Sequence, residues 1–228
     1  MINPLLIVGF AVLLGFSPKD NPNKKTVERI GVATHVVENS IVYREELSKS
    51  FKDQTITVNA IYKSGERVFG VKEISWDANG PKNYKYTNQQ KGYSEGITKL
   101  SSTKYSVFTT SGDKKKESTL EIDGTVVFDE YLVAWTQNNL KAITAGEEPE
   151  IKIIVPRRLD YYSFIAKGKI EKSGDYAIEI VADNFILRQI VQPIKLRFNA
   201  KQELLSIKAM SYIHPVEEDL QPILVKYQ

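Results

Sequence analysis

Residues 55–86 read TITVNAIYKSGERVFGVKEISWDANGPKNYKY, and this stretch decides the fold class. Ile56, Val58, Ala60 and Tyr62 fall at every second position, so their side chains share one face of an extended strand. Ser64-Gly65 turns the chain into a second run, Arg67 to Trp76, and Asn79-Gly80-Pro81 turns it again before Tyr84 and Tyr86. Turns about ten residues apart leave no room for the dozen or more residues of a parallel crossover, so the spacing predicts an antiparallel meander.

The same pattern continues outward in both directions. Val36 to Leu47 precedes it. Gly92 to Leu100, Lys104 to Thr110 and Ser118 to Ile122 follow, with Ser111-Gly112-Asp113 as the hairpin between the last two. Strands resume around Ile151, Ile153 and Val155, then Tyr162, Phe164 and Ala166, then Tyr176, Ile178 and Ile180 after Ser173-Gly174-Asp175. Phe185 to Val191, Ile194 to Phe198 and Leu205, Ile207 and Ala209 complete the set, and the tail from His214-Pro215 onward reads as peripheral.

One segment departs from the two-residue period. Phe128, Leu132, Trp135, Asn139 and Ile143 are spaced by four, three, four and four, which predicts a helix over 129–145. Asp129 suits its N-cap and Gly146 its C-terminal stop. The expectation is a mainly β protein: one curved antiparallel sheet or half barrel of ten to twelve strands, with this helix covering its concave mouth or one face.

Composition limits the function. The chain has 228 residues, 42% apolar and 26% charged, and a net charge of +3. Such a chain buries roughly 70% of its unfolded surface without staples. The charge is too small and too dispersed to predict nucleic-acid binding. The absence of cysteine excludes disulfides, thiolate catalysis and cysteine-held metals, and a count of only two histidines weighs against a transition-metal site. No cofactor is expected, and no metal site. Leu5 to Phe16 is an uncharged apolar run, LLIVGFAVLLGF, about 18 Å long as a helix and so short of the ~30 Å membrane core. With Gly15 and Ser17 at the small positions of a cleavage site, residues 1–17 read as a signal peptide or N-terminal anchor, 18–29 as a linker and 30–228 as a single β-rich domain. Export, to a periplasm for a bacterial source, follows from that reading, with an envelope protein among the expected partners. No spanning segment is expected.

Gly92-Tyr93-Ser94-Glu95-Gly96 matches GxSxG but lies within a strand-like run rather than at a strand-to-helix turn, and no GxGxxG, Walker loop or HExxH occurs. His35 reads as a partly buried or edge residue and His214 as the end of a strand before Pro215. The consecutive acids Glu45-Glu46, Asp129-Glu130, Glu147-Glu148 and Glu217-Glu218 are poor evidence for paired-carboxylate catalysis, because neighbours in a strand point to opposite faces, and in loops they read as solvated charge. Tyr84, Tyr86, Tyr93 and Tyr105 read as strand residues, Trp135 as a core anchor and Trp76 as a rim residue. Lys114, Lys115 and Lys116 read as an edge-solubilising turn. Arg157, Arg158 and Tyr161, after Pro156, are the candidate ligand-binding residues, since a guanidinium can grip a carboxylate or phosphate at two points.

From Val126 onward the order is an apolar helix, FDEYLVAWTQNNL, a glycine-containing loop and EIKIIVPRRLDYYSFIAKG. A Gly-Asp hairpin, NFILRQIVQPIKLRFNAKQELLSIKAMSYI and a short tail follow. Over 126–213 this layout resembles an uncharacterised family of exported β-rich bacterial proteins, itself similar in architecture to the lipoprotein-localisation factors. The resemblance implies a compartment and a shape, a curved sheet wrapped around a helix and sheltering acyl chains, and carries no catalytic residue. The combined expectation is a non-enzymatic envelope protein binding an apolar or amphipathic, lipid-like ligand on the concave face of its sheet. The rival is a scaffold or assembly factor that binds another envelope protein by its sheet edge.

Overall fold

The computed structural model describes residues 27–215 and 220–228. The expected signal or anchor segment therefore lies outside the described residues. In the N-terminal half, β1 (Val27–His35), β2 (Ile41–Lys52), β3 (Thr55–Ser64), β4 (Arg67–Asp77), β5 (Gly80–Asn88), β6 (Tyr93–Lys99), β7 (Lys104–Ser111) and β8 (Lys114–Glu121) form the predicted meander. Then come β9 (Val126–Val127), the helix α1 (Glu130–Thr144), β10 (Glu150–Val155), a 3-10 turn at Pro156–Arg158, β11 (Asp160–Ile170) and β12 (Tyr176–Ala182). The short helix α2 (Phe185–Ile190), β13 (Ile194–Phe198), β14 (Leu204–Ser211) and β15 (Gln221–Tyr227) end the chain.

All 15 strands belong to one sheet, ordered β8-β7-β6-β5-β4-β3-β2-β1-β15-β14-β13-β12-β11-β10-β9. Every pairing is antiparallel except the two-residue parallel contact of β9 with β10. A sheet this wide must coil. Its two ends approach each other: β9 packs across β5, and the 3-10 turn packs against β6 and β7. The mainly β, open curved sheet with one substantial helix is as expected, with more strands than the ten to twelve anticipated.

Three local readings are corrected. The tail is not peripheral: β15 sits at the centre of the sheet, pairing Tyr227 with Gly31 on β1 and Val225 with Ile207 on β14. The alternation of Ile223, Val225 and Tyr227 carries the strand signal there. Phe185–Ile190 is helical rather than extended, because Asn184 caps it through bonds from Ile186 N and Leu187 N, and Pro193 follows close behind. The chain from Val36 to Asn39 is a turn rather than part of a strand, and β1 begins at Val27, inside the stretch read as linker.

The helix α1 lies on the concave side, against β4, β9, β11 and β12. Asp129 caps it by accepting from Glu130 N at 2.8 Å, and Gly146 follows with φ 99°, a conformation a side chain resists. The stripe of Leu132, Trp135 and Ile143 is buried, and so are Val133, Thr136 and Leu140 on other faces, because the sheet wraps the helix. Gly168 allows this approach: a Cβ there would lie 2.9 Å from Ile143 Cγ2 and 2.5 Å from Ile178 Cδ1. A second core of Tyr43, Tyr62, Phe69, Tyr84 and Tyr86 fills the space inside β2–β5 with edge-to-face rings, the Tyr43 and Tyr62 centroids 5.4 Å apart.

Candidate functional site

Helix and aromatic rings fill most of the concave face. A cavity of about 520 Å³ lies at the end where β1 begins. Alternation on β2 and β3 aims Leu47 and Val58 inward, and α1 contributes Val133 and Ala134. Trp76 and Leu204 complete an apolar wall. Lys49, Gln137, Asn199 and Glu203 line the same space, with Gln137 held by its bond from Nε2 to Gln202 O at 2.8 Å. Trp76 therefore does meet this rim.

A buried charge cluster that the sequence reading missed adjoins the cavity, and its Arg29, Glu130 and Tyr227 form part of the cavity wall. Arg29 Nη2 meets Glu130 Oε2 at 2.6 Å, and its guanidinium stacks 4.3 Å above the Tyr227 ring. Lys72 Nζ meets Asp129 Oδ1 at 2.6 Å, and Tyr227 donates its hydroxyl to Glu45 Oε1 at 2.7 Å. Glu45, Lys72 and Glu130 are all buried. The acids Asp129 and Glu130 are thus interior groups, not solvated charge: α1 begins inside the barrel, so its first turn has nowhere else to point. Glu45 and Glu46 do divide as strand neighbours should. Glu45 points inward, while Glu46 accepts from Lys63 Nζ at 2.6 Å in the half-exposed layer. Gly31 makes room for the arrangement, since a Cβ there would come within 2.8 Å of both the Glu45 and Tyr227 side chains.

The electrostatics follow from counting. Three acids share the cluster with two bases. Burial pushes the Glu45 carboxyl above its ordinary range, opposed by Lys72. Burial, with the neighbouring Glu130, holds Asp129 up despite the Lys72 ammonium. For Lys72, burial disfavours the charge, but Asp129, Glu130 and Glu45 together outweigh it and raise its pKa. Asp129 adopts φ 49° and ψ −132°, a strained backbone for a residue with a side chain, fixed by its cap bond and by Lys72. Among the described residues, the Arg29 Nε and the Tyr62 hydroxyl are buried without a hydrogen-bond partner.

A second buried carboxylate sits toward the other end. Glu95, fully buried on β6, accepts from Tyr84 Oη at 2.7 Å and from Tyr93 Oη at 2.6 Å, and also from Tyr212 Oη. Burial raises its pKa, and the three phenols oppose the rise. Tyr212 belongs to the connection from β14 to β15, which crosses this mouth and is tied to β5 by Asn88 Nδ2 donating to His214 O at 3.3 Å. The clustered tyrosines are thus interior residues, as the strand reading expects.

The three candidate ligand residues gather here, at the end away from the cavity. Arg157 and Arg158 are exposed on the 3-10 turn, and Arg157 stacks 5.7 Å from the Tyr212 ring. Tyr161 is half-buried and lines a shallow recess with Asp160, Ser163, Asp183 and Leu187. None of the three touches the 520 Å³ cavity. His35 ends β1 and bonds through Nε2 to Gln221 Oε1 at 3.1 Å. Among the described residues no group of three His, Asp or Glu could hold a metal ion, and no helix is long and apolar enough to cross a membrane.

No family model and no curated protein matches this chain in sequence. It is similar in structure to a crystal structure of a β-barrel-like protein of a domain of unknown function, DUF1849, from Brucella abortus. The likeness covers 88% of this chain and 94% of that one, with a TM-score of 0.53 and 12% sequence identity. At that identity the shared property is the fold, a β-barrel-like domain with no assigned activity.

Proposed function

We propose that the chain is an exported, non-enzymatic binding protein that takes an apolar or amphipathic ligand into the cavity between α1 and the inner faces of β1–β4. The observation that carries this reading is the set of apolar lining residues, Leu47, Val58, Trp76, Val133, Ala134 and Leu204, beside the polar Lys49, Gln137, Asn199 and Glu203 and the paired Arg29 and Glu130. At about 520 Å³ the space falls in the size range of small-molecule sites, roughly 300–1,000 Å³. Each methylene buried there contributes about 0.8 kcal/mol, so an alkyl tail supplies the affinity and the polar groups orient the head. Each buried carboxylate is engaged by a cation or by phenols: Glu95 and Glu45 line no cavity, and Glu130, which lines this one, is paired with Arg29.

Edge docking has less behind it. The β8 edge carries Lys114, Lys115, Lys116 and Glu117, all exposed, which is how sheets discourage added strands. Export rests on Leu5–Phe16, and N-terminal sequencing of the protein recovered from an envelope fraction tests it, with a start near residue 18 expected.

The test of binding is a titration with N-phenylnaphthylamine, an apolar dye that brightens on burial, against the parent protein and Ala134→Phe. Saturable brightening in the parent and its loss in the variant are expected. A parent protein that never brightens the dye overturns the reading.

A further inference from the structure

We infer that the cavity selects amphiphiles whose head is uncharged and carries a hydroxyl or ester oxygen, and that it turns away anionic and ammonium heads. The inference rests on the reading of the cavity as a ligand site and adds to it the chemistry of the head. The tail of any such ligand lies against the same apolar lining, so the head alone decides between ligands of one tail length.

Charged side chains meet the cavity in three layers, and each can be summed over the described residues. At the rim stand Glu28, Lys49 and Glu203, two acids against one base. Glu28 and Glu203 are exposed and Lys49 is half-buried. In the wall, Arg29 and Glu130 cancel, joined at 2.6 Å. Adjoining that wall without lining the cavity are Glu45, which accepts from Tyr227, and the pair of Asp129 with Lys72. That layer again holds two acids against one base, or an even count where burial keeps the proton on Glu45. In no layer do the side chains sum to a positive charge. An anionic head entering here gives up its hydration and meets Lys49 as its one unpaired cation, outnumbered at the rim by two acids.

The hydrogen-bonding groups of the wall call for a neutral oxygen. Arg29 donates from Nη2 to Glu130 Oε2, while its buried Nε meets no acceptor among the described residues. A buried donor without an acceptor is a standing cost, and a ligand oxygen relieves it. The Arg29 side chain is 24% exposed and lines the cavity, which puts its guanidinium within reach of a ligand there. A hydroxyl, ester or ether oxygen meets it without adding an anion beside Glu130. Gln137 commits Nε2 to Gln202 O at 2.8 Å, which leaves its own side-chain oxygen to accept from a hydroxyl. A head with both a hydroxyl and an ester answers both groups. An ammonium head has donors only, so it leaves Arg29 unsatisfied and sets like charge beside Arg29 and Lys49.

The experiment displaces N-phenylnaphthylamine from the parent protein with three amphiphiles of one tail: 1-lauroylglycerol, laurate and dodecylammonium. Each is used below its micelle concentration, in low salt at about pH 8, where laurate is an anion and dodecylammonium a cation. The expected result is half-displacement by 1-lauroylglycerol at a concentration about tenfold below that of either charged competitor. A variant carrying Glu28→Gln and Glu203→Gln, both exposed positions, leaves Lys49 as the rim charge. It should bind laurate about threefold more tightly than the parent does, with 1-lauroylglycerol unmoved. Displacement first by laurate or by dodecylammonium, or equally by all three, overturns the inference and leaves the cavity reading standing. Laurate affinity unchanged in the variant overturns it as well. A parent protein that never brightens the dye defeats the cavity reading and this inference with it.

Discussion

Replacing Lys72 with methionine tests the interior charge cluster most sharply. Lys72 is the cation nearest Asp129, at 2.6 Å, and also offsets the buried Glu45 and Glu130. At an effective dielectric of 20, a pair at that distance is worth about 6 kcal/mol of Coulomb energy, part of it already spent on desolvating both groups. Methionine keeps the packing volume and leaves Asp129 without its partner, for which the expected loss is about 3–5 kcal/mol near neutral pH. In a domain of this size that is a fall in Tm of about 10 °C, read by thermal melts followed by near-ultraviolet circular dichroism.

The loss should depend on pH with a definite sign. Burial already raises Asp129 and Glu45 above their ordinary values, and without Lys72 both rise further. A carboxyl whose folded pKa is raised keeps its proton in the native state at a pH where the unfolded chain has released it. Stability therefore falls as pH climbs from the ordinary carboxylate range, about 4, toward the folded value, and levels off above it. The Lys72→Met deficit should be small at pH 4.5 and large at pH 8, and adding Asp129→Asn should restore most of it. A deficit below about 1 kcal/mol, or one equal at both pH values, refutes the reasoning.

Three further outcomes are expected. Glu95→Gln removes the carboxylate that accepts from Tyr84, Tyr93 and Tyr212 and should cost about 1–3 kcal/mol in urea denaturation. It should also speed hydrogen exchange at residues 211–215, which those bonds hold across the mouth. Gly96→Ala puts a Cβ 2.5 Å from Phe108 Cε1 and 2.9 Å from the Tyr84 carbonyl, which cannot swing away. A loss of about 1–3 kcal/mol, seen as a lower urea midpoint at unchanged slope, is expected. Converting Lys114, Lys115 and Lys116 to threonine strips the charge from the β8 edge and should produce concentration-dependent association in light scattering, with little change in Tm.

The sequence made the architecture legible wherever a local pattern repeats. The alternation of Ile56, Val58, Ala60 and Tyr62 reads directly as β3, and the stripe from Phe128 to Ile143 reads as α1 with its Asp129 cap and Gly146 stop. Non-local pairing stayed hidden. Nothing local indicates that Gln221–Tyr227 completes the sheet between β1 and β14, although Ile223, Val225 and Tyr227 carry the alternation. The apolar run at Phe185 reads as a strand by composition, and the Asn184 cap is what makes it a helix. The charge cluster was illegible for the same reason. Arg29, Glu45, Lys72 and Asp129 lie on four separate elements, and only coiling of the sheet around α1 brings them together. The cavity walls likewise come from six strands and the helix, whereas Arg157, Arg158 and Tyr161, neighbours in sequence, gather at the other end.

The cavity is the centre of the account, and native mass spectrometry of the protein recovered from an envelope fraction tests it most directly, run before and after mild organic extraction. The account predicts an extra mass of a few hundred daltons that extraction removes and that Ala134→Phe never carries. A bare polypeptide mass in the parent protein, unchanged by extraction and by added lipid, would contradict it.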